Sequence, residues 1–233
     1  MNKRRASFLL KVLAVGVVAS LAQNAQSQTI VYNNSTTFQD NFTLNNFQAG
    51  NEVVLAGTAT SDYLTQFKVQ FDLINSGASP LAGTPTGTEG MEINFYQNNG
   101  AAVSGYNSPG TQLYTTGFFT MSSVGLSAFT EGQTITISPN VVVPQDFTWT
   151  VAFQNVPAAE SAGLGLYHQA TGPTVGANFN DAWYNNGTAW TLQVANAGSP
   201  PLQFGATASV PEPSTIALGV MGAGALLARR RKN

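Results

Sequence analysis

Cysteine is absent from this chain, and positive charge is almost absent from its middle. The first absence excludes disulfides, thiolate nucleophiles and cysteine-ligated metals. An exported domain made this way relies on its core alone, and roughly 180 residues between the two ends suffice for one. The second absence is one of placement. Of nine cations, Lys3, Arg4, Arg5 and Lys11 open the chain, Arg229, Arg230, Arg231 and Lys232 close it, and only Lys68 lies between. Ten of the eleven acids, all but Glu212, fall in that middle, so residues 28–209 set one cation against ten acids, a formal −9. A body this acidic repels phosphate backbones, which argues against nucleic acid as a partner. It also repels anionic headgroups, so membrane attachment is confined to the ends.

Histidine is scarce as well. His168, the only one, stands in "GLGLYHQ" after the alternating Leu164 and Leu166 and reads as a strand-end residue. A catalytic triad or a histidine metal cluster needs partners, and one imidazole offers at most one ligand. No cofactor, no metal and no catalytic residue is expected.

The ends explain the segregated charge. "MNKRRASFLLKVLAVGVVASLAQNAQSQ" joins a basic start to an apolar run over residues 12–22, followed by small residues at cleavage spacing. Residues 1–27 therefore read as a secretory signal peptide with its helix, outside the fold. Arg4-Arg5 with Phe8 misses the twin-arginine spacing by one place, which favours the general secretory route.

At the other end, residues 215–228 are fourteen residues without a charge. As a helix they would reach roughly 21 Å, short of the ~30 Å hydrocarbon core. This is a short transmembrane helix, with Arg229, Arg230, Arg231 and Lys232 as its cytoplasmic stop. Directly before it stand Val210, Pro211, Glu212, Pro213 and Ser214, where two prolines hold the backbone extended. This order of proline-glutamate-proline, short apolar helix and arginine cluster resembles the PEP-CTERM sorting domain of Gram-negative bacteria. The resemblance covers residues 210–232. It implies a processing partner of the exosortase type, an inner-membrane intermediate, and delivery to the cell surface, outer membrane or extracellular matrix, often beside exopolysaccharide. A chain with this tail is the substrate of an enzyme.

Between the ends, residues 28–209, the recurrent signal is alternation. Phe67, Val69, Phe71 and Leu73 alternate with polar residues, as do Met91, Ile93 and Phe95, and Phe147, Trp149, Val151 and Phe153. Ile135 with Ile137, and Trp190 with Leu192 and Val194, repeat it on a smaller scale. Each run turns one apolar face inward and one polar face to water. Turn-rich stretches such as "QNNGAAVSGYNSPG" and "NNGTA" separate the runs. The pattern predicts an all-β fold, an antiparallel, jelly-roll-like β-sandwich of about ten strands in one domain. The phrases "AGNEVVLAGTA", "MEINFYQNNG", "DFTWTVAFQNV" and "GANFNDAWYNNGTAWTL" also resemble ectodomains that accompany PEP-CTERM tails. That likeness implies no activity.

Acids are arranged without an obvious site. Glycoside hydrolysis needs two carboxyls roughly 5–9 Å apart across a cleft. Glu89 and Glu92 are near in sequence, but three apart on a strand they face opposite ways. Acids distant in sequence remain free to converge. Asp62, Asp72, Glu89, Asp146 and Asp181 lie singly, without a calcium-loop pattern, and read as solubilising charge, with Lys68 as a solvated strand-face cation. Trp183 and Tyr184 sit in "NFNDAWYNNGTAW", where two readings stand. As a loop pair they could stack on a sugar, with Asn180, Asp181, Asn185 and Asn186 on its hydroxyls; as strand residues, one of them packs in the core. Three functions follow: a structural matrix protein, a carbohydrate-binding module for exopolysaccharide, or a hydrolase.

Overall fold

The computed structural model describes residues 28–36, 38–57, 59–75, 88–120, 133–158, 160–167, 172–179, 181–194 and 202–212. The signal peptide, the apolar run at 215–228, Pro213, Ser214, Arg229, Arg230, Arg231, Lys232 and His168 all lie outside the described residues. In chain order the strands are β1 (Gln28–Asn34), β2 (Phe38–Thr43), β3 (Gln48–Val54), β4 (Ser61–Leu64), β5 (Gln66–Asn75) and β6 (Gly90–Tyr96). There follow β7 (Ala102–Val103), β8 (Tyr106–Asn107), β9 (Gln112–Thr115), β10 (Phe119–Thr120), β11 (Gln133–Ile137) and β12 (Val141–Pro144). The last six are β13 (Asp146–Gln154), β14 (Glu160–Tyr167), β15 (Ala177–Asn178), β16 (Asp181–Asn185), β17 (Trp190–Val194) and β18 (Ala206–Pro211). The fold is all-β and its sheets are antiparallel. Ile30–Val210 form one compact unit.

The described residues form eighteen strands, against an expected ten or so. The excess comes from short pieces such as β7 and β8, which pair within the glycine- and asparagine-rich stretch that reads as a connection. Ser104 and Gly105 between them both take positive φ, 52° and 88°, the geometry of a tight hairpin turn.

The alternation at residues 67–73 becomes β5, the centre of a six-stranded sheet ordered β1-β18-β5-β14-β2. β14 takes the second half of one edge of β5 and β18 the first half, while β11 covers the opposite edge. The larger sheet is ordered β10-β6-β13-β3-β16-β17, with β9 on β6 and β15 on β3. Its centre, β13, pairs along its length with β6 and β3, so Trp149 stands level with Phe95 on one side and Asn51 on the other.

The two inner faces meet in a ring stack. Phe67 of the smaller sheet lies 4.9 Å from Phe95 and 5.5 Å from Trp149, both edge-to-face. Phe67, Val69, Phe71, Leu73, Ile93, Phe95, Phe147, Trp149 and Val151 are fully buried. Each such side chain contributes about 1.5–3 kcal/mol by leaving water, which makes this stack the main stabilising layer.

Asn51 is a polar residue on the inner face, and it is satisfied. Its Nδ2 donates to the Leu202 carbonyl at 2.7 Å, and its Oδ1 accepts from the Phe204 N–H at 2.7 Å. Asn34 adds a bond from its Nδ2 to the Phe204 carbonyl at 3.2 Å. The segment before β18 is thereby clasped from both sheets. At Gly205 the chain enters β18 under the ring of Tyr167, where a Cβ would collide with that ring. Only glycine permits this approach.

Candidate functional site

Trp183 and Tyr184 are consecutive residues of β16, so they point to opposite faces of the larger sheet. Tyr184 stands opposite Ala49, a core residue, and therefore points inward. It is half-buried, packs on Phe47 at 5.4 Å, and burial pushes its hydroxyl up. Trp183 stands opposite Gly50 on the outer face, where it is only 1% exposed. Of the two readings of this pair, the placement matches the one in which both are strand residues. The rings share no surface, and Trp183 has no face free for a sugar.

The neighbouring amides are engaged as well. Asn185 Oδ1 accepts from the Gly187 N–H at 2.8 Å, and Asn186 Oδ1 from the N–H and hydroxyl of Thr188 at 3.1 and 2.6 Å. These bonds build the β16–β17 turn around Gly187, whose φ is 91°. Asn180 and the Asp181 side chain lie outside the described residues.

β17 follows the same register. Leu192 stands opposite Trp183 and Trp190 opposite Asn185, so both lie on the outer face and not inward as the alternation suggests. Trp190 meets Tyr96 edge-to-face at 5.6 Å. Gln48 Nε2 bonds both the Tyr96 hydroxyl at 3.2 Å and Thr150 Oγ1 at 2.6 Å, and Gln112 Nε2 donates to Asn94 Oδ1 at 2.8 Å. The polar groups on this face take one another as partners.

Two acids read as solvated are buried. Asp72 is 1% exposed; its partner is Asn41, whose amide nitrogen donates to the carboxylate once the amide is turned to suit its neighbours. Burial and the Asp72 charge together push the Tyr167 hydroxyl up to about 12. Glu89 is fully buried, and 71 residues further along the chain Glu160 joins it. Burial, then a hydrogen bond with Glu89 and its charge, push the Glu160 carboxyl up to about 7. The Glu89 carboxyl adds to the effect of burial, since like charges this close disfavour a second ionisation. Sequence separation hid this convergence, and the short spacing of Glu89 to Glu92 drew attention elsewhere.

The pair differs from a glycosidase pair in its spacing. Hydrolysis leaves roughly 5–9 Å between carboxyls for the sugar or a water, whereas Glu89 and Glu160 bond directly to each other. Glu160 Oε2 is buried without a partner among the described residues. Elsewhere, Asn98 Nδ2 donates to Asp146 Oδ1 at 2.7 Å, and burial pushes that carboxyl up.

The matched tail begins within a strand. Val210 and Pro211 are the last two residues of β18, and Glu212 follows at once, half-buried. Among the described residues no helix is long and apolar enough to cross a membrane. The family model of the PEP-CTERM protein-sorting motif matches residues 209–232. Neither a curated protein nor a solved structure matches the chain. The chain carries a PEP-CTERM sorting signal, so exosortase processing is the kind of partnership it implies, with export and surface targeting as the outcome.

Proposed function

We propose that this chain is a non-catalytic β-sandwich displayed on a Gram-negative cell surface, where it serves as a structural component of an exopolysaccharide-containing matrix. The observation that carries the reading is the join between body and signal. The matched segment begins at Ser209, a buried residue of β18, so the signal follows the folded body without a spacer. A signal that starts within the last strand suits delivery of the body as a finished unit. A carbohydrate-binding role centred on Trp183 loses its support with that ring's burial.

Intact-mass measurement on protein from the native host tests the reading. Surface-fraction protein is expected to lack Arg229, Arg230, Arg231 and Lys232, and to co-sediment with matrix polysaccharide. Glu212→Ala is expected to leave the tail on and hold the chain in the inner membrane. Normally sorted wild type that retains Asn233 would overturn the processing step. Matrix fractions free of the protein would overturn the structural role.

A further inference from the structure

Lys68 is the one cation between residues 28 and 212, and its surroundings set it apart. It stands on the outer face of β5, opposite Thr136 of β11 on one edge and Thr207 of β18 on the other. Beside it opens a cleft of about 350 Å³ whose polar wall is Lys68, Gln70, Asn33, Ser35, Thr134 and Thr207. No acid lines it.

The groups in this wall are arranged but not exhausted. Asn33 Oδ1 accepts from Ser35 Oγ at 2.7 Å and from Thr207 Oγ1 at 3.2 Å, which fixes both hydroxyls in place. The Gln70 amide makes no hydrogen bond among the described residues, and its Oε1 is buried without a partner. Lys68 has no ion pair among the described residues. This contrasts with the outer face of the larger sheet, where Gln48, Tyr96 and Thr150 satisfy one another.

We propose that the cleft binds a sugar acid, with the carboxylate on the Lys68 ammonium and the ring hydroxyls on Thr134, Ser35 and the Gln70 amide. An ammonium is a compact point charge with three donors and no acceptor, so it calls for an anionic oxygen. A single cation matches a single negative charge. Hydroxyls and amides both donate and accept, which suits a ring bearing several hydroxyls. The volume lies at the low end of small-ligand pockets and accommodates one monosaccharide. The acidic body limits the choice further. Screening confines each charge to about 10 Å at 0.1 M salt, so one carboxylate at Lys68 is attracted, whereas a dense polyanion meets the remaining acids. An isolated or chain-terminal sugar acid is the ligand that fits.

The test is calorimetric titration of the full-length protein, in mild detergent, with sodium glucuronate, and with glucose and sodium acetate as the two halves of that ligand. Saturable glucuronate binding is expected, weakened about tenfold or more by Lys68→Gln and by raised salt, with glucose and acetate each far weaker. No saturable glucuronate binding, equal binding by Lys68→Gln, or acetate binding as tightly as glucuronate would each overturn the assignment. Circular dichroism and melting checks the fold of the variant. If Lys68→Gln does not fold, Thr134→Val replaces it: weaker glucuronate with unchanged acetate supports the site, and unchanged glucuronate overturns it. None of these outcomes bears on tail processing, which intact mass reads separately.

Discussion

Trp149 and Trp183 are buried to the same depth, 0% and 1% exposed, on opposite faces of one sheet. Among the described residues neither indole N–H has a hydrogen-bond partner. Trp149 lies between the two sheets, edge-on to Phe67 and to Phe204 at 6.5 Å. Trp183 lies outside the inter-sheet layer, opposite Gly50 and the half-buried Leu192. Depth of burial and membership of the sandwich core are therefore separate properties. An aromatic residue near a loop is not a ligand platform merely because its sheet face is the outer one.

Removing each indole is the strongest way to break the comparison. Trp149→Ala is expected to cost about 3–5 kcal/mol in urea denaturation, because rings from both sheets surround the cavity it leaves. Trp183→Ala is expected to cost about 2 kcal/mol, since its neighbours on the outer face can relax into the space. Equal losses would mean that the outer face is packed as firmly as the inner one.

A second substitution probes the Asn51 clasp between the sheets. Asn51→Ala leaves the Leu202 carbonyl and the Phe204 N–H without their buried partner, at a cost of about 2–3 kcal/mol. Hydrogen exchange should then rise in β18 before it rises in β5. Simultaneous loss of protection in both strands would show that the clasp serves the whole sandwich and not the strand that leads to the tail.

The smallest effect separates a buried charge from a buried ring. The folded state raises the Glu160 carboxyl from its ordinary 4.5 to about 7, so between those values it holds a proton that the unfolded chain releases. The favourable contribution is complete below about pH 4.5 and is lost as pH climbs through 7. Wild type should lose about 2 kcal/mol of stability between pH 5 and 7 from this group, measured by denaturation at each pH. Glu160→Gln should flatten that part of the profile and be the more stable form above pH 7. An unchanged profile in the variant would place the titrating group elsewhere.

Particular residues show how much could be read beforehand. Phe67 to Leu73, Met91 to Phe95 and Phe147 to Phe153 were legible as strands with one buried face, because a strand's period of two is a property of the backbone. Trp190 and Leu192 obey the same period, yet face the other way. Their side depends on β16 pairing Tyr184 with Ala49, and a shift of one residue would reverse it. The Glu89–Glu160 pair and the Lys68 cleft draw on strands far apart in the chain, which spacing along the sequence does not reveal. The sorting signal was legible in full as a motif, since a processing enzyme reads a contiguous segment.

The sequence by itself determined the all-β class, the acidic middle and the sorting signal. Each depends on local backbone geometry, on composition or on adjacent residues, and none requires knowledge of what lies across a sheet. Only the tertiary structure decided that Trp183 is buried away from the inter-sheet core, that Glu160 meets Glu89, and that Lys68 faces a cleft that no acid lines among the described residues. Those outcomes rest on strand order and register, which bring together residues that the chain keeps far apart.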